Sequence, residues 1–154
     1  MTEDSIIVAG VKVVFDEDFP TLARARAEEC VREWIELLPR WLVELRVFSS
    51  KSEDAAASIS VFEPYRYAQI YLHPSWLRAT PGDQSEYVRH EFIHSVTNPL
   101  KLVAEHIGDA FDVSNTNPAL AKWIRSEIDD AVERATQDFS IAIDRLLAAR
   151  GLRG

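Results

Sequence analysis

His90 and His94 stand four residues apart, with Glu91 directly after the first, in the run His-Glu-Phe-Ile-His. On a helix, residues at this spacing project from one face, so both imidazoles can reach one Zn2+. The glutamate flanks that face, where it can take a proton from a metal-bound water. The chemistry such a trio suits is hydrolysis by a metal-activated water.

The trio works only if a helix holds it, and the flanking residues predict one. Asp83 and Glu86, after Pro81-Gly82, form a D-x-x-E start, with Asp83 capping the first amides and Glu86 reaching back. Asn98-Pro99 predicts the stop, since a residue before proline is pushed out of the helical region. Within that span Val88, Phe92 and Val96 make an apolar ridge, and His90 and His94 point the opposite way.

A hydrolytic zinc site usually keeps three protein ligands and one open position. The metzincin extension H-x-x-G-x-x-H is absent: Thr97 and Leu100 occupy its Gly and His positions, and Met1 is the only methionine. A carboxylate from a later helix is the remaining common solution. The C-terminal stretch offers Glu127, Asp129, Asp130, Glu133 and Asp138. Its apolar arc runs from Ile124 and Ile128 through Ala131 and Ala135 to Phe139 and Leu146. Glu127 sits at the edge of that arc, where a carboxylate needs a charge partner. Asp129, Asp130 and Glu133 lie further round, toward solvent, and Asp138 shares the edge but lies almost three turns on. Glu127 is therefore the expected third ligand, with His106 its non-carboxylate rival. Tyr87, on the histidine face, together with His73 and His106, supplies candidate oxyanion donors.

The remaining elements must position this helix. Val- and Ile-rich Ile6 to Phe15, interrupted at Gly10, reads as a strand. Thr21 to Leu38 is an amphipathic helix through Ala27, Val31, Trp34 and Leu38, closed by Pro39. Leu42 to Ser49 is a second strand. Ala57 to Phe62 and Tyr67 to Leu72 form a strand pair joined through Glu63 to Arg66. A loop from His73 to Gly82 leads into the motif helix. Leu100 to Phe111 is a short helix and Asp112 to Asn117 a loop. Asn117-Pro118 is a cap followed by proline at the first helical position, opening a helical stretch to about Arg150. The order β-α-β-β-β-α-α-α gives an α+β arrangement, a small mixed sheet covered by helices in one domain spanning residues 1–154.

That last stretch, about 33 residues and roughly 50 Å if straight, exceeds the core of a domain this size. It must project, break near Thr136 to Ser140, or fold back. Its apolar end wants either the protein's own cleft side or a second subunit, so a homodimer through the C-terminal helix is one expectation.

Composition narrows the function classes. The 154 residues are 47% hydrophobic, enough for a real core. No apolar run reaches membrane-spanning length, and Met1 to Ser5 carries two acids and no basic segment, unlike a secretory signal. Cys30 is the only cysteine and falls on a core-facing helix stripe, as filler rather than nucleophile. These features point to the cytoplasm. A net charge of −8 argues against nucleic acid.

From Val88 to Val96 the chain resembles the gluzincin metallopeptidases, and among them the minimal single-domain forms, the minigluzincins and related small phage or bacterial predicted proteases. The strand Tyr67 to Leu72 just upstream and the later helix bearing Glu127 extend the likeness to about Leu42 to Phe139. The resemblance implies a zincin-like fold: a small twisted sheet whose antiparallel edge strand borders the cleft, an active-site helix and a glutamate-bearing helix. Ala131 stands where larger relatives often have an acid that orients a motif histidine; Asp130 is the nearest substitute. The implied activity is a zinc-dependent peptidase. His90, His94 and Glu127 would hold Zn2+, and Glu91 would be general base and then proton donor. A peptide substrate would lie along Tyr67, Ile70 and Leu72 as an added strand. The alternative is a metal-stabilised or catalytically vestigial interaction module. Its four tryptophans and acidic surface suit that reading, although tryptophans at helical spacing are usually core.

Overall fold

Residues 5–15 do not make one strand. Ala9 and Gly10 both adopt positive φ, 49° and 84°, the pattern of a two-residue type I′ hairpin turn. The chain therefore doubles back between β1 (Ser5–Val8) and β2 (Val11–Phe15), with Val8 paired to Val11. Glycine takes this conformation freely, whereas Ala9 carries the steric cost of its Cβ. This is the first departure from the expected order in the computed structural model, which describes residues 5–113 and 118–151.

Helix α1 (Thr21–Trp34) runs into a 3-10 turn over Ile35–Leu37 and buries Ala27, Cys30, Val31 and Trp34, one face at helical spacing. Strands β3 (Glu44–Ser49), β4 (Ala57–Phe62) and β5 (Tyr67–Leu72) follow. The five strands form one mixed sheet in the order β1-β2-β3-β5-β4. Its middle is parallel, β2 with β3 and β3 with β5, while β1 and β4 are antiparallel edges. Alternation is clear: Leu45, Val47, Ala68, Ile70 and Leu72 are buried, while Arg46, Phe48, Tyr67, Gln69 and Tyr71 are half-exposed on the other face. On that second face Phe48 stacks on Tyr71 at 5.2 Å, and the Arg46 guanidinium lies 4.6 Å over the Tyr67 ring.

Three helices complete the α+β arrangement. A short α2 (Pro74–Arg78) occupies part of the expected loop. Helix α3 (Pro81–Val113) does not stop at Asn98-Pro99 but carries Pro99 inside it, merging the two helices the sequence suggests. Proline there forfeits one amide hydrogen bond and crowds the carbonyl four residues back. That penalty is local, and it does not outweigh the helical preference on both sides. Helix α4 (Pro118–Ala149) is unbroken, so of the three alternatives for this stretch a break near Thr136 to Ser140 does not occur. Pro118 takes the first helical position as expected; its cap, Asn117, lies outside the described residues. No helix among the described residues is long and apolar enough to cross a membrane.

The chain divides into two compact units, residues 1–96 and 97–154, with the boundary inside α3. The first contains the sheet, α1, α2 and the motif. The second is a helical pair in which Arg125 donates to Asp109 at 2.8 Å and the hydroxyls of Thr97 and Thr136 meet at 3.4 Å. Leu100, Val103, Ile128, Ala131 and Val132 line an apolar groove of about 300 Å³ in this second unit.

Candidate metal centre

The motif helix is secured at its start, by residues other than those expected. Thr80, not Asp83, is the cap: its hydroxyl accepts from the Asp83 amide at 3.2 Å and donates to the Asp83 carboxylate at 2.7 Å. Its carbonyl accepts from the Gln84 amide. Glu86 faces Arg89 at 3.8 Å instead of reaching back. One turn on, Gln84 and Trp76 exchange two hydrogen bonds, the Trp76 indole donating to the Gln84 carbonyl and the Gln84 amide group to the Trp76 carbonyl. The Trp34 indole donates to Ser85, whose hydroxyl donates to Glu33. Arg89, fully buried, lies 5.2 Å over the Trp34 ring. Together these contacts tie the first two turns of α3 to α1 and α2.

Beyond them Val88 and Phe92 are fully buried, as the ridge predicts, and Ile93 joins them at the core. Val96 does not; it is 53% exposed. His90, Glu91 and His94 are half-buried on the opposite side. The two imidazole Nε2 atoms face each other at 3.1 Å, with ring planes at 81°. Two Zn–N bonds of about 2.05 Å at the tetrahedral angle place their nitrogens roughly 3.3 Å apart, so the pair is spaced close to what one ion requires. Among the ligand pairs the sequence proposes, this one is brought together by a single helix.

The other expected site residues separate into cases. Tyr87 is 40% exposed, one turn before His90 on the histidine side of α3. His73 is buried, with Nε2 at 3.0 Å from the Ser58 hydroxyl and its amide donating to the Ala56 carbonyl. It links the chain after β5 to β4, which is a packing role. His106 is exposed on α3 in the second unit. Strand β5 lies inside the sheet, not at its edge, so Tyr67, Ile70 and Leu72 cannot accept an added strand. Ile70 and Leu72 are core, and Tyr67 stacks on Phe62 at 4.6 Å. Sequence could not distinguish which member of the β4–β5 hairpin is outermost, because that depends on β3 pairing in parallel with β5. Cys30 is core filler as expected: burial pushes its thiol up to about 11, leaving it protonated and inert.

On α4 the buried positions are Ala121, Val132, Thr136 and Ser140. At 100° per residue, Glu127 points directly away from that line and is exposed. Glu133, also exposed as expected, lies seven residues from Ser140, hence within about 20° of its direction. The residues of the expected apolar arc are the more open ones, with Phe139 and Leu146 54% and 52% exposed. A reading that equates the inner face with the largest apolar residues therefore rotates the helix the wrong way. The missed signal is the spacing of small and hydroxylated residues at 132, 136 and 140.

No family model matches the chain, and no curated protein or solved structure matches it.

Proposed function

We propose that this chain is a metal-dependent hydrolase of peptide bonds in which His90, His94 and Glu133 hold one divalent cation, Zn2+ being the ion their donors suit. The observation that carries the reading is that the Nε2 atoms of His90 and His94 face each other at 3.1 Å from one side of a single helix, with Glu133 the carboxylate that could complete the group. Two imidazoles and a carboxylate match the donor set of catalytic zinc, which keeps a fourth position open. Glu133 replaces Glu127 in the ligand set, on the helix the gluzincin resemblance designates. A bound Zn2+ would supply Lewis acidity, lowering the pKa of a water and polarising the scissile carbonyl.

The chain's own residues do the rest. Glu91, beside the ligand face on the same helical turn as His90, takes the proton from the attacking water and returns it to the leaving amine. Tyr87, one turn earlier on the histidine side, is the candidate hydrogen-bond donor to the developing oxyanion. The substrate strand adds to β4, the antiparallel edge, through backbone hydrogen bonds, leaving β5 as its support. An antiparallel edge strand and a β5 leading toward the motif helix support a zincin-like arrangement of the minigluzincin kind.

Metal content and turnover on a peptide pool test the reading together. Wild type should purify with one equivalent of zinc, and His90→Ala or His94→Ala should lose it. Glu91→Gln should keep the metal while turnover falls by about 10²–10⁴-fold. Stoichiometric zinc in the double histidine variant, or full turnover in Glu91→Gln, would overturn it.

A further inference from the structure

Helix α4 carries an apolar seam that its own unit leaves open. Ile124, Ile128 and Ala135 are half-buried, Ala131 and Ala142 are exposed, and Phe139 and Leu146 are more than half exposed. All seven point within about 40° of the Ala135 direction, on the side away from Glu133. Their spacing is symmetric about Ala135, at four, seven and eleven residues in each direction. Side-chain size is not symmetric: every large residue on one arm has a small one at the mirrored place, except at the ends.

We propose that this face is a homodimer interface in which α4 packs antiparallel against α4 of a second copy, about a two-fold axis at Ala135. The two-fold places Ala131 against the partner's Phe139 and Ile128 against the partner's Ala142, large into small on both arms. Ile124 meets the partner's Leu146 and closes each end. Such an isologous contact uses one patch twice and is self-limiting. The seam runs from Ile124 to Leu146, about 33 Å of helix, and continues onto the groove lined by Leu100, Val103 and Val132.

Charge selects this pairing over other occupants. The open flank of the seam carries Glu127, Arg134, Asp138 and Arg145, all exposed. None of the four makes an ion pair within the chain among the described residues. In the antiparallel arrangement residues on this flank meet when their numbers sum to about 270. Glu127 then faces the partner's Arg145, and Arg134 faces the partner's Asp138. The two-fold doubles each pair, giving four opposite-charge contacts and no like-charge one along that flank. A parallel two-fold would instead turn this flank toward the partner's opposite flank, where Val132 and Thr136 are already buried, and would leave the four charges without these partners.

Sedimentation equilibrium of the full chain at ~50 µM tests the interface, with circular dichroism confirming helicity. Wild type should sediment as a dimer and Phe139→Glu as a monomer. Arg134→Glu and Asp138→Arg should each raise the dimer Kd at least about tenfold. The double reversal should return it to within about threefold of wild type, because each pair is rebuilt with its signs exchanged. Should Phe139→Glu misfold, the charge series alone decides. A wild type that stays monomeric, a dimer indifferent to these substitutions, or a double reversal worse than either single one would overturn the proposal.

Discussion

The two units of the chain solve the burial problem differently. Of 24 buried apolar residues among those described, only Ala121 and Val132 belong to residues 97–154; the other 22 lie in residues 1–96. The first unit has a sheet with one apolar face and a helix to cover it, so its large side chains find partners within about a hundred residues of chain. The second unit is two helices, and two helices cannot bury more than one stripe each. Its buried stripe on α4 is made of small and hydroxylated residues, while Trp123, Phe139 and Leu146 remain more than half exposed. Stability therefore concentrates in the first unit, and the second is the one that association would stabilise.

That contrast is open to attack at several points. The largest effect should come from Phe92→Ala, which empties a fully buried site in the first unit and should cost about 3–5 kcal/mol. Trp123→Ala, an equally large truncation in the second unit at a 58% exposed position, should cost less than about 1 kcal/mol. Equal losses in denaturant melts would erase the distinction. Next in size, Glu133→Ala should weaken zinc affinity by about 100-fold in a chelator competition, whereas Glu127→Ala should leave it within about twofold. The reverse order would return the third-ligand role to Glu127.

Smaller effects probe the joint and the core. Pro99→Ala restores an amide donor inside α3 and removes the clash with the carbonyl of Ser95, so it should stabilise the protein by about 1–3 kcal/mol. A loss of stability there would show that the proline conformation is itself required. The smallest concerns pH. The Cys30 thiol is raised in the folded state to about 11, so its neutral form is favoured by folding. Its contribution is fully present below the unfolded thiol pKa, about 8.5, and is lost as pH rises from there toward about 11. Cys30→Ala should flatten the decline in stability across that window relative to wild type.

Much of this protein can be read from residue order alone. Local physics decides the strands at 44–49, 57–62 and 67–72, the helix from Thr21, and the opposition of His90 and His94 to Val88 and Phe92, because periodicity and i,i+4 geometry act within a few residues. The histidine pair needed only a helix, and even a missed cap and a proline within that helix did not disturb it. The hairpin at Ala9-Gly10 was partly visible as a glycine break, but its reversal depended on two consecutive positive φ values that only glycine announces. Three things belonged to tertiary structure. The parallel pairing of β3 with β5 made β4 the edge. The rotation of α4 buried Thr136 and Ser140 and turned Glu127 outward, choosing close approach by small residues over burial of large ones. The proposed exchange of Glu127 for Glu133 as third ligand rests on that rotation. In each case the deciding contacts join residues far apart in the chain, and their free energies do not appear in any window of sequence short enough to show a period.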